Sequence, residues 1–127
     1  ERDKLITKGK LLLYKKQKMV RDNVARTARK IGMFVDEDGT QLVVNVANMP
    51  RELCSEAGHY MLEHFNAPVA MTYFDGPTQR IWSVRSKNGE ARKIAEMFPG
   101  GGGHPNAAGF QTALTWNGDW TPRNEKE

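Results

Sequence analysis

The sequence predicts an α+β domain: a small mixed β-sheet with two or three helices packed on it, preceded by a helical connector. Three observations carry this. Runs of β-branched and aromatic residues come in short segments bounded by turn residues. Only two or three helical stretches interrupt them, too few for a regular strand–helix alternation. A long stretch without proline precedes the first strand. Helices are expected on one face of the sheet.

Residues 3–24 read as a helix, because Leu13, Val20 and Val24 recur at helical spacing. Gly9 weakens its amino-terminal part by about 1 kcal/mol relative to alanine. Residues 29–35 and 41–47 read as a β-hairpin, with turn chemistry at Asp36-Glu37-Asp38-Gly39. Leu42 to Ala47 is β-branched and nearly continuous, as expected of a buried strand. Pro50 suits the first turn of a helix. Over residues 51–65, Leu53, Cys54, Ala57, Met61 and Phe65 fall on one helical face. Val69–Phe74 and Arg80–Arg85 read as strands joined through Asp75-Gly76-Pro77. A short helix at 90–98 leads into a glycine run, and Phe110–Leu114 returns as the last strand. The divisions are a connector at 1–28, a domain at 29–116 and a polar tail at 117–127.

Bulk properties narrow the class. With 127 residues the chain can bury a core without cross-links. One cysteine, Cys54, excludes an internal disulfide and suits a reducing, cytoplasmic setting. No apolar run approaches the roughly 20 residues that span a bilayer. The chain opens on Glu1 rather than methionine, so it is expected to be a piece of something longer. Net charge is +4, and the basic residues crowd into the first third: Lys4, Lys8, Lys10, Lys15, Lys16, Lys18, Arg21, Arg26, Arg29 and Lys30. With Tyr14 the only aromatic among the lysines, a solvated helix face is favoured over a polyanion surface.

The most informative stretch is Gly100-Gly101-Gly102-Gly103-His104-Pro105-Asn106-Ala107-Ala108-Gly109-Phe110. Glycines let the backbone take positive φ and approach a ligand closely. Successive N–H groups in such a loop can form an anion-binding nest, and His104 adds a hydrogen bond or a charge. The chemistry suits a phosphate or a nucleotide.

That string resembles the signature glycine loop of the DHH-associated domain, the small carboxy-terminal domain of DHH-superfamily phosphoesterases. Upstream, Ile81-Trp82-Ser83-Val84-Arg85-Ser86 is similar to the family's hydrophobic-Ser-Leu-Arg-Ser strand. Lys93-Ile94-Ala95-Glu96-Met97-Phe98 resembles the short helix before the loop. The three motifs stand in family order, and the resemblance runs from about Gln41 to Thr112. It implies a substrate-binding role, with His104 on the phosphate or nucleotide and not on a metal. The residues it singles out are Arg85, His104, Gly101, Gly102, Gly103, Ser83 and Ser86. The Arg85 fork suits bidentate phosphate binding. By strand alternation Ser83 and Arg85 share one face and Ser86 takes the other. Two departures stand out. Asn88-Gly89-Glu90-Ala91-Arg92 replaces the usual acidic-hydrophobic-small helix start, and Pro99 intrudes before the glycines.

The other candidates carry less. His59 and Glu63 lie four apart with His64 following, a spacing that suits two metal ligands but fits an ordinary amphipathic helix better. Cys54 falls on the apolar face and reads as core. No Asp-His-His motif occurs. The resemblance implies that this motif holds two metal ions, usually manganese, so no cofactor is expected in this chain. Mn2+ or Mg2+ is expected in a missing amino-terminal catalytic domain, and this chain alone is expected to be inactive. Expected partners are that domain, a nucleic-acid or nucleotide/phosphate ligand and a second copy of the chain, with no membrane. The alternative is the tRNA-binding, oligomerising carboxy-terminal domain of alanyl-tRNA synthetases, which the continuous Ser-Val-Arg-Ser motif disfavours.

Overall fold

The computed structural model describes residues 2–34 and 41–116. It runs α1 (Arg2–Thr27), β1 (Arg29–Phe34), β2 (Gln41–Asn48), a 3-10 turn (Arg51–Leu53), α2 (Cys54–His64), β3 (Val69–Asp75), β4 (Arg80–Ser86), α3 (Glu90–Glu96), β5 (Gly102–His104) and β6 (Ala107–Thr112). The six strands form one sheet in the order β1-β2-β3-β4-β6-β5. Every neighbouring pair is antiparallel except β2 and β3. A parallel pair needs a crossover, and α2 supplies it. The mixed α+β architecture is the one the sequence predicts.

The helices cover both faces of the sheet rather than one, and strand alternation shows why. Val44, Val46, Val69, Met71, Trp82, Val84 and Phe110 point to one side, where Ala91, Ile94 and Ala95 of α3 seal them. On this side Phe98 stacks on Phe110 at 3.9 Å between ring centroids, and Trp82 lies parallel to Phe110 at 5.8 Å. The Trp82 indole N–H donates to Thr112 Oγ1 at 2.9 Å, which satisfies a polar atom inside an aromatic cluster. Ala47 and Ala70 point to the other side, under α2 and the end of α1. A strand apolar on both faces needs a lid on each.

The last two turns of α1 belong to this core. Val20 and Val24 are buried against α2. The Asn48 amide donates to Thr27 Oγ1 at 3.1 Å, tying the helix end to β2, and the Ala28 amide closes the last helical turn on the Val24 carbonyl at 2.8 Å. Leu13, placed on the buried stripe by spacing, is 57% exposed, because an open groove separates this part of α1 from α2. Leu11, Leu12, Tyr14 and Met19 are exposed with it. Side chains of Leu5 and Ile6, the Asp36–Gly39 turn and the tail from Asn117 lie outside the described residues. Among the described residues no helix is long and apolar enough to cross a membrane.

The glycine run departs most from the sequence reading. Gly102–His104 is a sixth strand, paired with Gly109, Ala108 and Ala107 across a two-residue Pro105-Asn106 turn. The last strand therefore starts at Ala107, three residues before the predicted start. Glycine carries no side-chain periodicity, so the pairing leaves no trace in the pattern.

Candidate functional site

Residues directly opposite in adjacent strands project to the same side of a sheet. Ala70 faces Arg85, Arg85 faces Ala107, and Ala107 faces His104. Arg85 and His104 therefore share the α1–α2 face. They stand two strand spacings apart, about 10 Å between backbones. Ser83 is on the same side, opposite Gly109, which in turn faces Gly102. The ground between Arg85 and His104 is thus a shelf of Ala107, Gly109 and Gly102. It has almost no side-chain bulk, so a ligand can reach the backbone there.

Arg85 is positioned by α2. Its guanidinium donates to Ser55 Oγ at 2.5 Å. A Cβ on Gly58 would come within 2.8 Å of Arg85 Cγ, so the missing side chain makes room for the arginine stem. The sequence reading missed both residues. Gly58 left a signal, since a glycine inside a helix costs about 1 kcal/mol against alanine and implies a packing reason. Ser55 left none. Beyond Arg85 a groove of about 820 Å³ opens between α1 and α2, with Lys16, Arg21, Tyr14, His59 and Tyr60 on its walls. Lys16 pairs with Glu56 at 2.9 Å and, by donating to it, holds that carboxyl below its usual range; the Arg85 charge adds to the effect.

Ser86 faces away from Arg85, as alternation requires, and works inside the fold. Its Oγ accepts from the Ala91 amide at 2.9 Å and bonds Asn106 Oδ1 at 3.1 Å. Asn106 Oδ1 also accepts from the Gly89 amide at 2.7 Å. The Pro105 carbonyl accepts from the Arg92 amide at 3.2 Å. The turn after His104 is therefore clasped to the start of α3, whose free amides need acceptors.

The glycines divide by task. The Gly101 amide donates to the Phe98 carbonyl at 3.0 Å, so in this conformation it is not turned to a ligand. Gly103 has φ 145° and Gly100 φ 75°, backbone that side chains disfavour. Gly102 has open space around its Cβ position. His104 is exposed at the sheet edge.

His59 and Glu63 contact each other at 3.4 Å in solvent, and the His64 ring packs on Tyr60 at 4.5 Å. Among the described residues no three His, Cys, Asp or Glu side chains gather as metal ligands. Cys54 is buried, and that burial raises its thiol pKa, which suits packing rather than attack.

Residues 38–117, more than half of the chain, match the DHHA1 domain model. The chain belongs to the DHHA1 domain family. No curated protein matches this DHHA1 chain. Among solved structures it is similar to the pGpG-specific phosphodiesterase PggH from Vibrio cholerae, with 14% identity and a TM-score of 0.55. That match covers 88% of this chain and 40% of that one, so the DHHA1 chain spans about two-fifths of the enzyme's length. It also matches an uncharacterized protein from Helicobacter pylori G27 at 16% identity and a TM-score of 0.42, covering 75% of this chain and 25% of that one. At such identities the likeness to PggH is one of fold.

Proposed function

We propose that this DHHA1 chain forms the substrate-binding half of a metal-dependent DHH phosphoesterase, gripping a phosphate of a nucleotide or nucleic acid between Arg85 and His104. The observation that carries the reading is the shared face of these two residues across a shelf without bulk. A guanidinium offers two parallel donors to a phosphate, and an imidazole adds a third from the opposite side. The fold of PggH, a phosphodiesterase acting on a dinucleotide, supports a nucleotide substrate. The described residues gather no metal-binding cluster, so they offer no site for Mn2+ or Mg2+. A DHH catalytic domain would hold the ions and supply the water-activating chemistry, leaving this chain to bind and orient the substrate.

Calorimetric titration of the chain with a short oligonucleotide tests this. A hydrogen bond to a charged group is worth about 1.5–3 kcal/mol, so Arg85→Ala and His104→Ala should each weaken binding roughly ten- to a hundredfold. Unchanged affinity in both folded variants would refute the reading.

A further inference from the structure

Asn45 stands at the middle of β2 and points to the α1–α2 face, since Val44 and Val46 on either side of it fill the opposite core. It is 2% exposed, yet its Nδ2 has no hydrogen-bond partner. Buried donors without acceptors are rare in folded proteins and call for a specific cause. Asn45 lines a cavity of about 350 Å³ together with Ala28, Arg29, Lys30, Phe65 and Asn66. Lys30 lies directly opposite Asn45 in the β1–β2 ladder, so the ammonium stem and the orphan amide project to the same side.

The polar part of the described lining is Lys30 and the carboxamides of Asn45 and Asn66, with no carboxylate among the described lining residues; Arg29, opposite Val46 in the ladder, projects to the other face. Such a set repels a cation and offers charge and N–H donors to an oxyanion. Phe65, the residue that ends α2, adds an apolar wall. The cavity is separate from the Arg85 shelf, because Ala70, which stands between Asn45 and Arg85 in the register row, is itself buried under α2. We infer that this cavity is a second anion site, where Lys30 and the Asn45 side-chain amide take a phosphoryl group. The site stands on its own geometry, whatever Arg85 and His104 bind.

Nuclear magnetic resonance titration of the chain reads it directly. Inorganic phosphate and adenosine monophosphate, added separately, should move the Asn45 side-chain amide and the backbone amides of Ala28 and Asn66. Tighter binding of the nucleotide would assign an organic phosphate resting on Phe65; equal binding would assign free phosphate. Either result supports the site. Asn45→Leu, which keeps the volume and removes the donor, should weaken binding about tenfold or more. Lys30→Gln, at an exposed position, should act in the same direction and carries the test if the Asn45 variant does not fold. Arg85→Ala should leave these shifts unchanged, which separates this site from the shelf. An Asn45 amide unmoved by millimolar amounts of either probe would overturn the inference, as would binding that survives Asn45→Leu but not Arg85→Ala.

Discussion

Gly101→Ala is the substitution that most sharply tests how the glycine run is built. A Cβ there would stand 1.9 Å from the Ala95 carbonyl oxygen, 2.8 Å from its carbon and 3.0 Å from Phe110 Cβ. The first two are backbone atoms at the end of α3, so no rotamer change relieves the clash. The end of α3 must lift from the sheet, or the run must leave its pairing with β6. Either movement pulls Phe98 off Phe110, whose rings are 3.9 Å apart. Overpacking costs about 1–3 kcal/mol, and an immovable backbone obstacle places this variant near the top, at about 3 kcal/mol. Between the scalings for smaller and larger domains, that corresponds to a fall in Tm of roughly 10–15 °C. The control is Gly102→Ala, where nothing lies within 4 Å of the added atom; it should stay within about 0.5 kcal/mol of the parent. Thermal denaturation followed by far-ultraviolet circular dichroism measures both. Equal melting temperatures for the two variants would refute the packing argument.

Three further outcomes follow from the geometry. Gly58→Ala would set a Cβ 2.8 Å from Arg85 Cγ, near the root of that side chain, and should displace the Arg85 stem and cost oligonucleotide affinity; calorimetry beside the parent chain checks it. The Arg80 guanidinium, bonded to Asp75 at 2.6 Å, holds that carboxyl below its usual range. A depressed carboxylate adds stability above the unfolded-state value, near pH 4, and loses it as pH falls through the folded value. Asp75→Asn should therefore lower stability modestly at neutral pH, leave it little changed well below pH 4, and so flatten the acid limb of a stability-against-pH curve. Leu11, Leu12, Leu13 and Tyr14 are each more than half exposed and together ring one turn of α1, apolar surface of the kind that associates; sedimentation should show concentration-dependent self-association that Leu12→Lys reduces, and a strict monomer would contradict it.

Several elements were legible because side-chain pattern and burial coincide. Val44, Val46, Val69 and Val84 read as strand interior and are fully buried. Arg85 and Ser86 take opposite faces, as the period of two demands. Where the sequence misled, the deciding force acts at long range. Leu13 fits the stripe of Val20 and Val24, but an open groove separates it from α2. The run after Phe98 reads as an open loop because glycines show no alternation, and only β6 makes it a strand. Nothing local marks Ser55 or Asn106 as holding Arg85 or the turn after His104. Their roles arise from residues 30 and 17 positions away.

The clasp that joins the Pro105-Asn106 turn to α3 bears on how a ligand would be met. Gly101 is fixed by Phe98 at one end of the run, and the turn is fixed through Ser86, Gly89 and Arg92 at the other. Between these anchors only a short span of chain remains, and it is already zipped to β6. A stretch that looks floppy on paper is thus a taut bridge, ordered when the domain folds rather than when a ligand arrives. Association at His104 then needs little further loss of backbone entropy, and its rate should be set by encounter rather than by a loop searching for its shape.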